Sequence, residues 1–187
     1  MTSKLPIPKG SRTYLQQTEG WMQPWELDFI YETATKISER LGPLLEVGSY
    51  KGLSTSALTL AGTTYCVDSW RNDPSTGRLV DYFPDFEKNL KKLGRWDRVV
   101  ILRGDSRSIM PFIRDQSFRL VLVDANHDFE FVRSDLENGW RVLNSEGYLI
   151  VDDFQNPKTP DVFSAVADLE LPVQPLPRTK LGYAVKD

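Results

Sequence analysis

Carboxylate side chains stand at or just after the ends of successive apolar segments of the chain. Asp68, Asp105 and Asp124 each follow a different segment, and Asp152 and Asp153 close a further one. If these segments are parallel strands, their carboxyl ends meet at one edge of the sheet, where ligands of such sheets bind. The spacing therefore predicts a single cleft lined by carboxylates.

The first apolar segment ends in a glycine-containing loop, E-x-G-x-x-x-G, over residues 46–52. This spacing differs from the G-x-G-x-x-G loop of nicotinamide enzymes, which wraps a pyrophosphate. The carboxylate of Glu46 is poorly suited to a phosphate and well suited to a cationic amino-acid group. Asp68 follows Gly48 by 20 residues, the place at which an acidic residue commonly binds ribose hydroxyls. Asp105 has two interpretations, an acceptor for an adenine amino group or a helix N-cap. Together these features predict a nucleoside pocket.

The later carboxylates predict a metal site. Adjacent strands lie about 4.8 Å apart, so Asp124, Asp152 and Asp153 should converge and repel one another unless some take up protons or a cation lies between them. Magnesium or manganese with oxygen ligands would meet this need. The alternative is that Asp152 or Asp153 caps the turn that follows.

His127 is the only histidine of the chain and lies three residues after Asp124. A histidine side chain ordinarily titrates near neutral pH and suits a general base. We expect His127 to act as the base beside the carboxylates; the alternative is a structural role.

Apolar segments of strand type alternate with helical patterns along the chain. Five predicted strands cover residues 43–48, 63–68, 98–103, 118–124 and 148–152, and two more lie near 173–176 and 181–186. Predicted helices cover residues 20–40, 53–61 (capped by Ser54 or Thr55), 82–93, 106–113, 129–143 and 161–169. The alternation predicts an α/β fold with a doubly wound, mostly parallel seven-stranded sheet. The last two strands are joined too closely for a crossover helix, so they should form an antiparallel hairpin.

We expect one domain over residues 1–187, with an N-terminal extension (1–40) and a core (41–187). The predicted helix over residues 20–40 is either a lid over the cleft or ordinary packing. A loop is predicted over residues 69–77, which contain turn signals.

Composition excludes several classes of function. The single cysteine, Cys66, cannot form an intrachain disulfide, and one histidine cannot build a multi-imidazole metal site. A net charge of -3 offers no general attraction for nucleic acid. We find no apolar run of membrane-spanning length and no signal-peptide pattern. These observations favour a cytoplasmic protein with neither nucleic acid nor membrane as partner; the oligomeric state is open.

Five motifs occur in order: Leu-Leu-Glu-Val-Gly-Ser-Tyr-Lys-Gly-Leu-Ser-Thr, Val-Asp-Ser-Trp, Arg-Gly-Asp-Ser, Val-Asp-Ala-Asn-His and Leu-Ile-Val-Asp-Asp-Phe. With them the chain resembles the class I S-adenosylmethionine-dependent methyltransferases, which have a Rossmann-like core. Within these it is most similar to the small branch that includes macrocin O-methyltransferase and the cephalosporin-hydroxylase-like proteins. The resemblance extends from about Trp21 to the C-terminus.

The resemblance implies contacts of the methionine moiety near Glu46 and Gly48, and of the nucleoside at Asp68, Asp105 and Ser106. Antibiotic O-methyltransferases of this branch place a divalent metal on carboxylates at the positions of Asp124, Asp152 and Asp153, although Asn126 stands where some relatives carry another aspartate. We expect S-adenosylmethionine (SAM) to be held by Glu46, Gly48, Ser49, Tyr50, Gly52, Ser54, Asp68, Ser69, Trp70, Gly104, Asp105, Ser106 and Asp124.

The expected reaction is methyl transfer from SAM to a small-molecule hydroxyl. His127 and Asp124 would be the catalytic residues, and magnesium at Asp124, Asp152 and Asp153 would lower the pKa of the acceptor. Two alternatives are a nicotinamide-dependent oxidoreductase, which the glycine spacing disfavours, and a non-catalytic nucleoside-binding module.

Overall fold

The computed structural model describes residues 18–71 and 78–187, so residues 72–77 of the predicted 69–77 loop lie outside these ranges. The strands within them are β1 (Leu44–Val47), β2 (Thr64–Asp68), β3 (Val99–Arg103), β4 (Phe118–Val123), β5 (Leu143–Val151), β6 (Gln174–Pro175) and β7 (Gly182–Val185). The α-helices are α1 (Pro24–Lys36), α2 (Leu53–Ala61), α3 (Phe83–Lys92), α4 (Ser106–Ile109), α5 (Phe129–Val142) and α6 (Pro160–Asp168). Short 3₁₀ helices cover Glu39–Leu41, Trp96–Arg98 and Met110–Phe112.

The described strands form one sheet in the order β3-β2-β1-β4-β5-β7-β6. Strands β1 to β5 run parallel to one another. Strand β7 runs antiparallel to β5 and β6 antiparallel to β7. The predicted doubly wound, mostly parallel sheet with a C-terminal antiparallel hairpin is therefore confirmed.

Strand β4 is the centre of the core, and all six of its residues are buried. Because successive side chains of a strand point to opposite faces, Val121 and Val123 pack with α5 and α6, whereas Leu120 and Leu122 pack with α1 and α2. Both faces are thus covered, which explains why this segment of the sequence is almost continuously apolar.

The helix predicted over residues 20–40 is shorter at both ends. It begins at Pro24, where a capping box is formed by Gln23 and Glu26, and the Gln23 N–H donates to Glu26 Oε2 at 2.8 Å. It ends before Ile37, whose backbone is extended. Its buried residues pack against α2, so the packing interpretation holds for the helix itself. None of the helices in the described ranges combines the length and apolar character needed to cross a membrane.

Two other boundaries differ from the prediction. Strand β5 begins at Leu143, directly after α5, although the helical spacing had assigned Leu143 to the helix and started the strand at Tyr148. Helix α2 is preceded by Gly52 in a left-handed conformation, with no side-chain hydrogen bond at the cap. The predicted capping by Ser54 or Thr55 is therefore wrong.

The order of the strands determines where a ligand can bind. The chain runs outward from β1 through β2 to β3, and then returns to β4 on the other side of β1. The connections after β1 and β4 therefore diverge to opposite faces and leave a crevice at the carboxyl ends of these strands.

Candidate active site

A cavity of about 830 Å³ opens at the carboxyl ends of β1, β2, β4 and β5. This volume is in the range that holds a ligand of nucleotide size. The structure brings most of the residues predicted from the sequence to its wall: Gly48, Ser49, Tyr50, Ser54, Asp68, Ser69, Trp70, Gly104, Asp105, Ser106, Asp124, His127, Asp152 and Asp153. Glu46 and Gly52 are the predicted residues that do not line it.

Asp68 holds the loop after β1 in position. Its Oδ2 accepts hydrogen bonds from the backbone N–H groups of Ser49 and Tyr50, both at 2.8 Å, and its Oδ1 accepts from the Trp70 N–H at 2.7 Å. A carboxylate has about four acceptor positions. Asp68 therefore ties two loops together and keeps limited capacity for a ligand in the cavity that it lines.

Glu46 lies beneath the loop and does not line the cavity. The residue is fully buried, and its Oε2 accepts hydrogen bonds from the Ser49 hydroxyl at 2.7 Å and from the Thr55 hydroxyl. Burial raises the pKa of Glu46, and the hydroxyls of Ser54, Thr55 and Ser49 oppose that shift. Glu46 thus anchors the loop to α2.

Gly48 allows β1 to pass directly against the end of β4. Its φ is +90°, and a Cβ at this position would lie 1.9 Å from the carbonyl oxygen of Asp124. Gly52, with φ of +89°, would place a Cβ 2.3 Å from the Leu90 side chain. Gly52 therefore permits packing of α2 on α3 and does not line the cavity.

Aromatic side chains surround the same loop. The Trp21 ring stacks on Tyr50 with centroids 4.9 Å apart, and the Trp70 indole N–H donates to the Tyr50 carbonyl at 2.8 Å. Trp21 and its neighbours Glu19, Gly20 and Met22 line the cavity. The segment before α1, and not the helix that was predicted as a possible lid, thus forms part of the wall.

Asp105 takes the second of its two interpretations, a helix N-cap. Its Oδ1 accepts from the Arg107 N–H at 2.9 Å, and its Oδ2 contacts the Arg107 guanidinium at 2.7 Å. The hydrogen bonds with Arg107 lower the pKa of this exposed carboxyl. Asp105 lines the cavity, but its carboxylate is already paired.

Asp135, on α5, is a carboxylate of the wall that the sequence did not indicate. The residue is 1% exposed. The Ser106 hydroxyl lies close to its carboxylate, but within the described residues neither oxygen accepts a well-aligned hydrogen bond. Burial raises its pKa to about 6, against the opposing influence of the Ser106 hydroxyl and the charge of Arg107. Its spacing within the amphipathic helix pattern is unremarkable, so only the fold shows that it faces the cavity.

Lys180 provides the cation at the rim of the cavity. Its Nζ lies 3.2 Å from Asp152 Oδ2 and 2.8 Å from Asp153 Oδ1. Burial lowers the pKa of Lys180. The negative charges of Asp152 and Asp153 together outweigh this effect and raise the pKa above its usual range. The sequence offered no signal for this contact, because Lys180 lies 28 residues beyond Asp152 in the turn between β6 and β7.

His127 lies beside the same carboxylates. Its Nε2 is 3.2 Å from Asp153 Oδ2, although among the described residues the nitrogen has no partner aligned for a hydrogen bond. Asp124 lies deeper. Burial raises its pKa well above the usual range, the charge of Asp152 adds to this, and the charge of Lys180 opposes it. The predicted catalytic pair thus shares one end of the cavity.

The predicted magnesium site at Asp124, Asp152 and Asp153 does not fit the structure. In residues 18–71 and 78–187, no three acidic, histidine or cysteine side chains are arranged to hold a metal ion. In addition, the ammonium group of Lys180 lies within 3.2 Å of Asp152 Oδ2 and within 2.8 Å of Asp153 Oδ1. A cation from the chain itself therefore contacts one oxygen of each of these two carboxylates.

A family model described as "Methyltransferase domain" matches residues 45–154. This match covers more than half of the chain, from β1 to the loop after β5. A comparison with curated proteins finds no match.

Several solved structures are similar over most of the chain. The O-methyltransferase NovP matches with a TM-score of 0.69 at 18% identity, over 86% of this chain and 79% of its own. A Podospora anserina methyltransferase bound to S-adenosylhomocysteine (SAH) has a TM-score of 0.69 at 19% identity, over 97% of this chain and 89% of its own. The O-methyltransferase TomG from Streptomyces achromogenes, in complex with SAM, has a TM-score of 0.66 at 15% identity, over 95% and 87%. At these identities the similarity is one of fold.

Proposed function

The chain belongs to the methyltransferase-domain family, and on this premise we propose that it transfers a methyl group from SAM to a hydroxyl group of a small molecule. One observation carries the proposal. A single cavity at the switch point of the sheet has room for a nucleoside at one end. At its other end lie His127 and the carboxylates that contact Lys180. Similar folds bind SAM or SAH, and two of them are O-methyltransferases by name. Because a fold alone does not determine activity, the proposed reaction is assigned from the residues of the site.

We assign the cofactor to the part of the cavity near the ends of β1, β2 and β3. When bound there, SAM supplies an electrophilic methyl group on a positively charged sulfur. The loop after β1 presents its backbone, and Asp68 retains an acceptor position for a ribose hydroxyl. The residues proposed to contact the cofactor are Gly48, Ser49, Tyr50, Ser54, Asp68, Ser69, Trp70, Gly104, Asp105, Ser106 and Asp124.

Asp135 adds an acceptor for the adenine amino group to this set. The carboxylate of Asp105 is paired with Arg107, whereas that of Asp135 is buried beside the Ser106 hydroxyl and accepts no well-aligned hydrogen bond in the described ranges. A buried carboxylate without well-aligned hydrogen bonds is costly, and a ligand N–H would supply one. We therefore assign base recognition to Asp135 and Ser106, with Asp105 holding the start of α4.

His127 is assigned as the general base for the acceptor hydroxyl. The imidazole takes the hydroxyl proton while the acceptor oxygen forms a bond to the methyl carbon and the carbon–sulfur bond breaks, leaving its electron pair on sulfur. Asp153, 3.2 Å from Nε2, stabilises the imidazolium that results. Positioned general bases contribute rate factors of about 10²–10⁴, and alignment of the two reactants contributes more.

The test is a transfer assay with SAM labelled on its methyl group and a panel of phenols, catechols and sugars. We expect the label to appear in an ether product together with an equal amount of SAH, and His127→Asn to lose most of this activity. Transfer to amines or thiols alone would contradict the hydroxyl assignment. Absence of both turnover and SAH binding would contradict the proposed function as a whole.

A further inference from the structure

At the acidic rim of the cavity, the carboxylates of Asp152 and Asp153 lie beside the ammonium group of Lys180, and Asp124 lies deeper in the same cavity. The Nζ of Lys180 lies 2.8 Å from Asp153 Oδ1 and 3.2 Å from Asp152 Oδ2. The side chains of Asp152 and Asp153 are 4% and 9% exposed, so their charges are weakly screened by solvent. The charge of Lys180 also acts on Asp124, whose pKa it lowers against the effect of burial.

The backbone around Lys180 holds this ammonium in place. The Lys180 N–H donates to Glu26 Oε1 on α1 at 3.0 Å, and its carbonyl accepts from the Gln155 N–H at 3.1 Å. The Gln155 side chain amide donates to the carbonyls of Leu176, Thr179 and Leu181, at 3.0, 3.2 and 3.1 Å. The turn that carries Lys180 is thus fixed to the segment that carries Asp152 and Asp153.

We propose that Lys180 is the built-in cation of this active site, in the position that a divalent ion would take between such carboxylates, and that its removal converts the rim into a metal-binding site. Neighbouring carboxylates need a positive charge or protons to coexist. A lysine ammonium is a compact point charge with three donors, and here two of its neighbours are carboxylate oxygens at hydrogen-bonding distance. Oxygen ligands released from Lys180 are the kind that magnesium and manganese prefer.

The catalytic consequence rests on the proposed function. An ammonium beside His127 and the carboxylates favours negative charge on an acceptor oxygen without a metal ion. Turnover of the wild-type protein should therefore be unchanged by a chelator and by added magnesium.

The binding test does not depend on turnover. Wild-type protein, Lys180→Met and Lys180→Gln are titrated with MnCl₂ by calorimetry in the absence of SAM. We expect no saturable binding to the wild type below millimolar Mn²⁺, and a gain in affinity of about tenfold or more in the variants, the size of effect that metal-site residues have. The gain should disappear when Asp152→Asn is added to Lys180→Met. Lys186→Met is the matched control, because Lys186 is a partly buried lysine that contacts the carbonyls of Trp140 and Leu143 instead of carboxylates.

Two results would overturn the proposal. One is wild-type protein that binds Mn²⁺ as tightly as the variants, and the other is folded variants, judged by circular dichroism, that gain no affinity. If neither variant folds, Mn²⁺ titration of the wild type followed by electron paramagnetic resonance decides, since binding tighter than millimolar would contradict a built-in cation and its absence would support one. Loss of SAH binding would contradict the proposed function and leave this outcome unaffected.

Discussion

Asp105 and Asp135 lie within the electrostatic influence of the same arginine, yet their pKa values move in opposite directions. Hydrogen bonds with Arg107 lower the pKa of the exposed Asp105, whereas burial raises that of Asp135 to about 6. An Asp with a raised pKa binds its proton more tightly in the folded state than in the unfolded state. Its contribution to stability is therefore complete below its ordinary pKa of 3.8 and is lost as the pH rises through 6.

Asp135→Asn should accordingly become more stable relative to the wild type as the pH rises. We expect the difference in unfolding free energy between variant and wild type to shift in favour of the variant by roughly 2–3 kcal/mol from pH 3.5 to pH 7.5. Urea unfolding at both pH values measures this shift. Asp105→Asn is the control and should shift in the opposite direction, because its carboxylate is favoured when ionised. An equal change of unfolding free energy with pH in the wild type and in Asp135→Asn would show that burial does not raise the pKa of Asp135.

The assignment of His127 as a base predicts a specific kinetic change. His127→Asn should lower kcat by about 10²–10⁴, while SAH affinity and the KM for the acceptor change little, because the side chain acts on the proton in transit. Steady-state kinetics with calorimetric SAH titration separate these quantities. A variant with full kcat and weakened acceptor binding would assign His127 to positioning instead.

Residue types and spacing predicted most of the cavity wall but not which atoms are free within it. Asp68 and Asp105 stand at the predicted places, and both are occupied by hydrogen bonds from the chain itself. Glu46 turned inward because hydroxyls of Ser49 and Thr55 meet it there. Asp135 and Lys180 carried no local pattern, since their proximity to the site arises from helix orientation and from a hairpin distant in sequence.

The loop between β1 and α2 is shaped by a contact between two strand ends. Gly48 is in the left-handed region, and a Cβ there would overlap the Asp124 carbonyl. Gly94 shares the positive φ, at +64°, but a Cβ there would meet nothing within 4 Å. The two glycines therefore share a backbone conformation and differ in the room available for a Cβ atom.

Gly48→Ala should therefore cost more than Gly94→Ala. Backbone strain alone costs about 1–2 kcal/mol, and the overlap at Gly48 adds roughly 1–3 kcal/mol or more. Thermal or urea unfolding of both variants measures the difference, and we expect Gly48→Ala also to weaken SAH binding. Equal destabilisation of the two variants would show that the strand ends separate easily.

The elements themselves were largely predictable. Regular alternation of apolar runs and helical stripes specified the parallel strands, and the short connection before residue 181 specified the hairpin. Boundaries failed where two elements meet without a turn, as at Val142 and Leu143, because the apolar residue satisfies both periodicities. The predicted start of α1 at residue 20 was wrong because Pro24 is favoured at the first position of a helix, whereas the apolar spacing continues before it.

At the scale of the whole molecule, the sheet positions the loops that follow its strands, and these loops carry most of the side chains that line the cavity. The switch point between β1 and β4 places a nucleoside-sized wall and an acidic rim at one opening. The proposed activity depends on a compound with an adenosine and a sulfur-bearing amino acid fitting that wall.

Calorimetric titration of the wild-type protein with SAH, with NAD as the comparison ligand, tests this fit directly. We predict saturable binding of SAH at micromolar concentrations with a stoichiometry of one, and no binding of NAD, because the loop after β1 lacks a pyrophosphate-binding glycine pattern. Saturable binding of NAD, or an absence of heat with SAH, would contradict the account.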